Sequence, residues 1–128
     1  MLTVRFESGE DLRRIYEILG VDGEPFGSNF VMYDEAEPVA LWRMRIVLDG
    51  EPVGVIDDII FLDSVEEGDR TFFLHAMFFK LIEGAPIKLR LEGVRPEFAK
   101  FGFKEVDGNM EAYSKEINLH YMCGNRKA

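Results

Sequence analysis

Three strand-like runs in direct succession, joined by tight turns, constrain this chain more than any other feature. Residues 30–33, 39–48 and 53–62 are rich in β-branched, aromatic and long apolar side chains. The first connection is Asp34-Glu35-Ala36-Glu37-Pro38 and the second is Asp49-Gly50, a strong reverse-turn pair. Connections this short join only antiparallel neighbours, because a parallel return needs a crossover of a dozen residues or more. The spacing therefore predicts a three-stranded meander in the middle of the chain. In the second run Trp42, Met44, Ile46 and Leu48 alternate with Arg43 and Arg45. In the third run Asp57-Asp58 interrupts the apolar sequence, which predicts a bulge or a solvent-facing kink.

What flanks the meander sets the fold class. Leu2, Val4 and Phe6 alternate with Thr3 and Arg5, the period of a half-buried strand. Leu12, Ile15, Tyr16 and Leu19 then fall on one helical face, with Ser8 as the expected N-cap and Gly20 as the stop. Residues 21–29 are turn-rich. Residues 63–70 are acidic and predict an irregular loop before a helix over 71–83. That helix is apolar on nearly every side, which predicts burial on more than one face, by the end of the chain or by a partner. A strand over 87–91, a short helix over 96–101 begun by Pro96 and stopped by Gly102, and strands over 103–106 and 111–117 complete the order β-α-β-β-β-α-β-α-β-β. The segment from 118 reads as a frayed tail. Helices set around a run of antiparallel strands predict an α+β fold with a mixed, mostly antiparallel central sheet, and a parallel crossover over 53–91.

Size and charge narrow the function. A chain of 128 residues suits one domain and buries enough surface to need no staples. Fifteen basic against 24 acidic residues leave a net charge of −9, which disfavours nucleic acid. No apolar stretch approaches the ~20 residues of a membrane span. The start of the chain lacks the apolar core of a signal peptide. The single cysteine, Cys123, excludes an internal disulfide and a cysteine-based zinc site, so the expected setting is the cytoplasm. His75 and His120 have no metal-ligand spacing. Eleven phenylalanines exceed what one small core needs, which points to a homodimer contact.

Phe98-Ala99-Lys100-Phe101-Gly102-Phe103-Lys104-Glu105-Val106 resembles the short late helix, glycine stop and following strand of one large family. Glu51-Pro52-Val53-Gly54 and the strand behind it resemble that family's central strands. The family is the GNAT superfamily of acyl-CoA-dependent N-acyltransferases, and the resemblance covers nearly the whole chain as one GNAT-like domain. It implies transfer of an acyl group from acetyl-CoA or another acyl-CoA to a primary amine, on a small molecule or a protein. It also implies a pyrophosphate site at the turn before the central helix, with Phe61, Leu62, Arg70 and Thr71 on the cofactor side.

The chain departs from the family's pattern at two places. Where the family has a glycine-rich turn, this chain has Val65-Glu66-Glu67-Gly68-Asp69-Arg70, with one glycine and three carboxylates. Where the family often places a proton-donating tyrosine, this chain has Phe98, which leaves Tyr113 as the candidate acid. The resemblance puts the base on the third strand of the meander, at Asp57 or Asp58. Two readings of that pair stand side by side: a base that takes a proton from the amine, and a bulge with solvated carboxylates, the commoner arrangement. Arg43 and Arg45 likewise read as an anion clamp or, more commonly, a solvated strand face. The alternative to an enzyme is a GNAT-fold ligand-binding or dimerisation module without turnover.

Overall fold

The computed structural model describes residues 1–119. His120 and Cys123 lie outside the described residues. The elements run β1 (Leu2–Glu7), α1 (Asp11–Leu19), β2 (Ser28–Asp34), β3 (Glu37–Leu48), β4 (Pro52–Phe61), α2 (Glu67–Glu83), β5 (Lys88–Leu91), a 3₁₀ helix (Pro96–Phe101), β6 (Lys104–Val106), β7 (Asn109–Tyr113) and a 3₁₀ turn (Ser114–Glu116). The seven strands form one sheet in the order β1-β2-β3-β4-β5-β7-β6. The expected α+β class and mostly antiparallel sheet are what the chain adopts.

Several boundaries differ from the sequence reading, and three of the differences have a clear physical reason. Helix α2 begins at Glu67, four residues before the expected start. Its acidic residues occupy the first turn, where the positive end of the helix favours them, instead of a loop. Helix α1 begins at Asp11, and Glu10 sits at the N-cap with no side-chain cap, so Ser8 lies too early to serve. Strand β7 ends at Tyr113 because the chain turns into a 3₁₀ helix at Ser114, whose hydroxyl accepts the Ile87 N–H at 3.1 Å. Asn118, read as tail, donates its backbone N–H to Phe101 O at 2.8 Å.

The chain divides into two compact units, one of residues 1–45 with 56–73 and one of residues 46–55 with 74 onward. In the first, the apolar face of α1 (Leu12, Ile15, Tyr16, Leu19) packs on Val31, Tyr33 and Leu41, with Val21, Ile60 and Leu62 at the margin. Burying side chains of this size contributes about 1.5–3 kcal/mol each. Strand β1 pairs with β2 over six residues without interruption, from Leu2↔Asp34 to Glu7↔Asn29. The β2–β3 register shifts once, between Met32 and Tyr33.

In the second unit the core is aromatic. Phe78 lies 4.8 Å from Phe101 and 5.8 Å from Phe103, ring centre to ring centre, and Phe98 stands edge-on to Phe78 at 6.2 Å. Leu89, Leu91, Met77 and Met110 are buried there as well. The β6–β7 hairpin turns on Asp107-Gly108, both at positive φ (51° and 83°), the conformation that matches the twist of paired strands. Burial along helix α2 is uneven. Phe73, Met77 and Phe78 are fully buried, while Phe72 and Phe79 are 43% and 50% exposed. The apolar row on β3 also runs out of the core, since Trp42 and Met44 are buried and Ile46 and Leu48 are exposed.

Candidate active site

Strands β3 and β4 place two arginines against two aspartates. Arg43 Nε donates to Asp58 Oδ2 at 2.7 Å, and its Nη2 pairs with the same oxygen. Arg45 Nε reaches both oxygens of Asp57, at 3.2 and 3.0 Å. Arg43 and Arg45 share one side of β3, yet their partners are neighbours on β4. Neighbours on a regular strand point to opposite faces. Both nonetheless take an arginine from β3. Asp58 Oδ1 has no hydrogen bond among the described residues.

Arg43 corrects one expectation. It does not lie on a solvated face, because only 7% of it is exposed. Its Nη1 donates to the Tyr16 hydroxyl at 3.2 Å, and its guanidinium lies 4.2 Å over the Phe26 ring and 5.3 Å over that of Tyr16. Burial by itself lowers a guanidinium's pKa, but the bonds to Tyr16 and Asp58 outweigh it and hold Arg43 above its ordinary value. The Tyr16 hydroxyl in turn donates to Asn29 Oδ1, and the Asn29 amide donates to the carbonyls of Phe26 (3.1 Å) and Gly27 (3.3 Å). Asn29 is 1% exposed, so every buried polar atom in this group has a partner.

This buried array was not read from the sequence. Its one visible signal was Tyr16, a hydroxyl on the apolar face of α1 that needed a partner. Gly27 closes the loop at φ 69°, and a Cβ there would stand 2.6 Å from Met44 O. Next to it lies a cavity of about 430 Å³ lined by Phe6, Glu7, Glu10, Glu24, Phe26 and Asn29, among others.

The residues on the expected cofactor side gather at the β4–α2 turn. Arg70 Nε donates to Val65 O at 3.0 Å and its Nη2 to Leu62 O at 3.4 Å, while its guanidinium lies 5.0 Å from the Phe61 ring centre. Phe61 stands edge-on to Phe73 at 5.8 Å. The backbone N–H groups of Asp69 and Arg70 bond to Glu66 O, which leaves the helix-end donors of Glu67 and Gly68. Nothing lies within 4 Å of where a Cβ on Gly68 would stand. Thr71 sits in the second turn of α2, beyond the helix end. An anion can approach this backbone, and Arg70 adds a positive charge beside it, although Glu66, Glu67 and Asp69 oppose it. The turn therefore fits a phosphate group in its backbone and strains against it in its charge.

Tyr113 belongs to the second unit. Its hydroxyl donates to the Glu51 carboxylate at 3.2 Å, and Lys88 Nζ lies 3.1 Å from the same carboxylate and 5.7 Å from the tyrosine ring centre. The hydrogen bond to Glu51 raises the Lys88 pKa above that of an ordinary lysine. Arg90 bonds Glu111 at 2.8 Å and Asp49 at 2.9 Å. Phe98, at the place of the family's tyrosine, is a core residue and 4% exposed. Among the described residues no three His, Cys, Asp or Glu side chains are grouped to hold a metal, and no helix is long and apolar enough to cross a membrane.

Solved structures match the fold of this chain over most of its length. The GNAT family N-acetyltransferase YhbS from Escherichia coli, in complex with CoA, superposes with a TM-score of 0.62 at 14% identity, covering 94% of this chain and 92% of that one. The fold is that of the GNAT acetyltransferases. Arabidopsis thaliana Naa50, bound to the bisubstrate analogue CoA-Ac-MVNAL, superposes with a TM-score of 0.58 at 13% identity, covering 88% and 96%. The AtaT toxin Y144F mutant, bound to acetyl-CoA and the C-terminus of the antitoxin AtaR, gives 0.59 at 12% identity, covering 95% and 99%. No family model and no curated protein matches the sequence.

Proposed function

We propose that this GNAT-fold chain is an acyl-CoA-dependent N-acyltransferase that acts on a primary amine, with acetyl-CoA as donor and the cytoplasm as its setting. The observation that carries the reading is the shared fold over most of both chains with structures that hold CoA or acetyl-CoA, the N-acetyltransferase YhbS among them. When bound, acetyl-CoA supplies an acyl group activated as a thioester. The Glu67 and Gly68 N–H groups and Arg70 are the residues that would hold its phosphates, with Phe61, Leu62 and Thr71 nearby. Asp58 is favoured over Asp57 as the base. Asp57 has both oxygens engaged by Arg45, whereas Asp58 keeps Oδ1 for a proton from the amine. Tyr113 is the candidate proton donor to the leaving thiolate.

A second reading has its own support. Phe98 is locked in the aromatic core, and three carboxylates crowd the phosphate turn. Both features suit a ligand-binding module without turnover. Calorimetric titration with acetyl-CoA, then with CoA, separates the readings when combined with thiol release in the presence of an amine panel. Micromolar binding with amine-dependent thiol release is the expected result. Binding without release supports the module, and no heat at millimolar ligand removes the transferase reading.

A further inference from the structure

The two edges of the sheet are finished differently. At one edge, β6 is three residues long, carries Lys104 and folds straight back through the Asp107-Gly108 turn. Short, charged edge strands of this kind resist pairing with other chains. At the other edge, β1 runs six residues with no bulge, proline, glycine or lysine, and among the described residues β2 is its only strand neighbour. No described strand pairs with its outer row of backbone groups.

The side chains of β1 carry the matter further. Phe6, Phe30 and Trp42 stand side by side in register across three strands, with Phe6 and Phe30 edge-on at 5.4 Å. That aromatic row ends at the edge in Phe6, which is 59% exposed. On the opposite face Arg5 lies 4.2 Å over the Tyr33 ring and 3.7 Å from Glu7. In a chain of net charge −9, the strand itself carries one arginine and one glutamate and is neutral.

The alternation Leu2-Thr3-Val4-Arg5-Phe6 is symmetric in polarity about Val4. We propose that β1 is a homodimer interface, pairing antiparallel with β1 of a second copy about a two-fold axis at Val4. In that register Leu2 faces Phe6 of the other copy, Val4 faces Val4, and Thr3 faces Arg5, so no like charges stand directly opposite. Each face of the joined sheet keeps its character: apolar residues meet on one side and polar residues on the other. The junction adds roughly four to six main-chain hydrogen bonds, depending on which residues point outward. A second copy fits better than an unrelated strand because the sequence complements itself in both polarity and charge.

Light scattering coupled to gel filtration, over about 1–100 µM protein, tests this directly. The expected result is a species of twice the 14.7 kDa chain mass. Thr3 is exposed, so substitutions there leave the folded chain intact. Thr3→Arg sets like charges opposite Arg5 twice per dimer and should weaken association roughly threefold or more, while Thr3→Glu should tighten it by a similar factor. Circular dichroism confirms that both variants are folded. A wild-type monomer across the whole range overturns the proposal. So does a dimer indifferent to both substitutions, which would place the contact elsewhere, and so does capture of a different protein's strand in place of a second copy.

Discussion

Arg43 is almost completely buried, yet the carboxylate that neutralises it, on Asp58, is held through one oxygen only. The guanidinium is over-determined, with Tyr16 on one nitrogen and Phe26 across its face. The aspartate is not. An arginine this firmly placed fixes the orientation of a carboxylate whose second oxygen makes no hydrogen bond among the described residues.

Stability should respond asymmetrically to the two partners. Asp58→Ala leaves a buried cation without its counter-charge and is expected to cost about 2–4 kcal/mol, toward the lower end of the range for buried pairs because Asp58 is partly exposed. Replacing both, as Arg43→Met with Asp58→Leu, should recover most of that loss. Urea unfolding of the single and double variants measures the difference.

Catalysis should separate the two aspartates. With an amine acceptor identified, Asp58→Asn is expected to lower kcat by about 10²–10⁴-fold, and Asp57→Asn by less than tenfold. Thiol release at saturating acetyl-CoA gives both numbers. Equal losses would mean that the two arginine–aspartate pairs matter as a whole rather than through one oxygen.

The charge of the α2 entry should limit donor binding. Glu67→Gln combined with Asp69→Asn removes two carboxylates from the first turn and should tighten acetyl-CoA by roughly three- to tenfold at low salt. The gain should shrink in about 0.5 M salt, where the field is screened within a few ångströms. Calorimetry at the two ionic strengths reads it out.

Tyr33 provides a pH signature. Burial, and then the hydrogen bond to Glu7, pushes its hydroxyl up to about 12. The folded chain thus holds this proton more tightly than the unfolded chain, whose tyrosines ionise near ~10. The contribution is whole below pH ~10 and is lost as pH rises toward about 12. The loss should reach about 2–3 kcal/mol, and Tyr33→Phe should flatten stability across that window. Denaturant unfolding at closely spaced alkaline pH values follows both chains.

The elements with a clear period were legible from residues alone. The period-2 runs gave β1 and the meander, and the face of Leu12, Ile15, Tyr16 and Leu19 gave α1. The start of α2 was not, because Glu66 to Arg70 has the composition of a loop, and only the charge preference of a helix end explains its place inside one. Arg43 was read as a solvated strand residue because strand period assigns a side but not a depth. Its burial depends on Tyr16, Phe26 and Asn29, which lie 14 to 27 residues away in sequence and carry no motif. The β4 carboxylates were found as a pair; that they would each take an arginine, and so differ in which oxygens are free, is a matter of geometry.

Gly27 shows where this chain tolerates least change. It lies at the surface, in a loop a residue scan would pass over, yet any side chain at that position collides with the Met44 carbonyl and must also adopt a left-handed backbone. Mutational sensitivity here will not follow depth from solvent: a saturation library should come back nearly empty at an exposed position, while bulkier, more hidden sites accept a range of replacements.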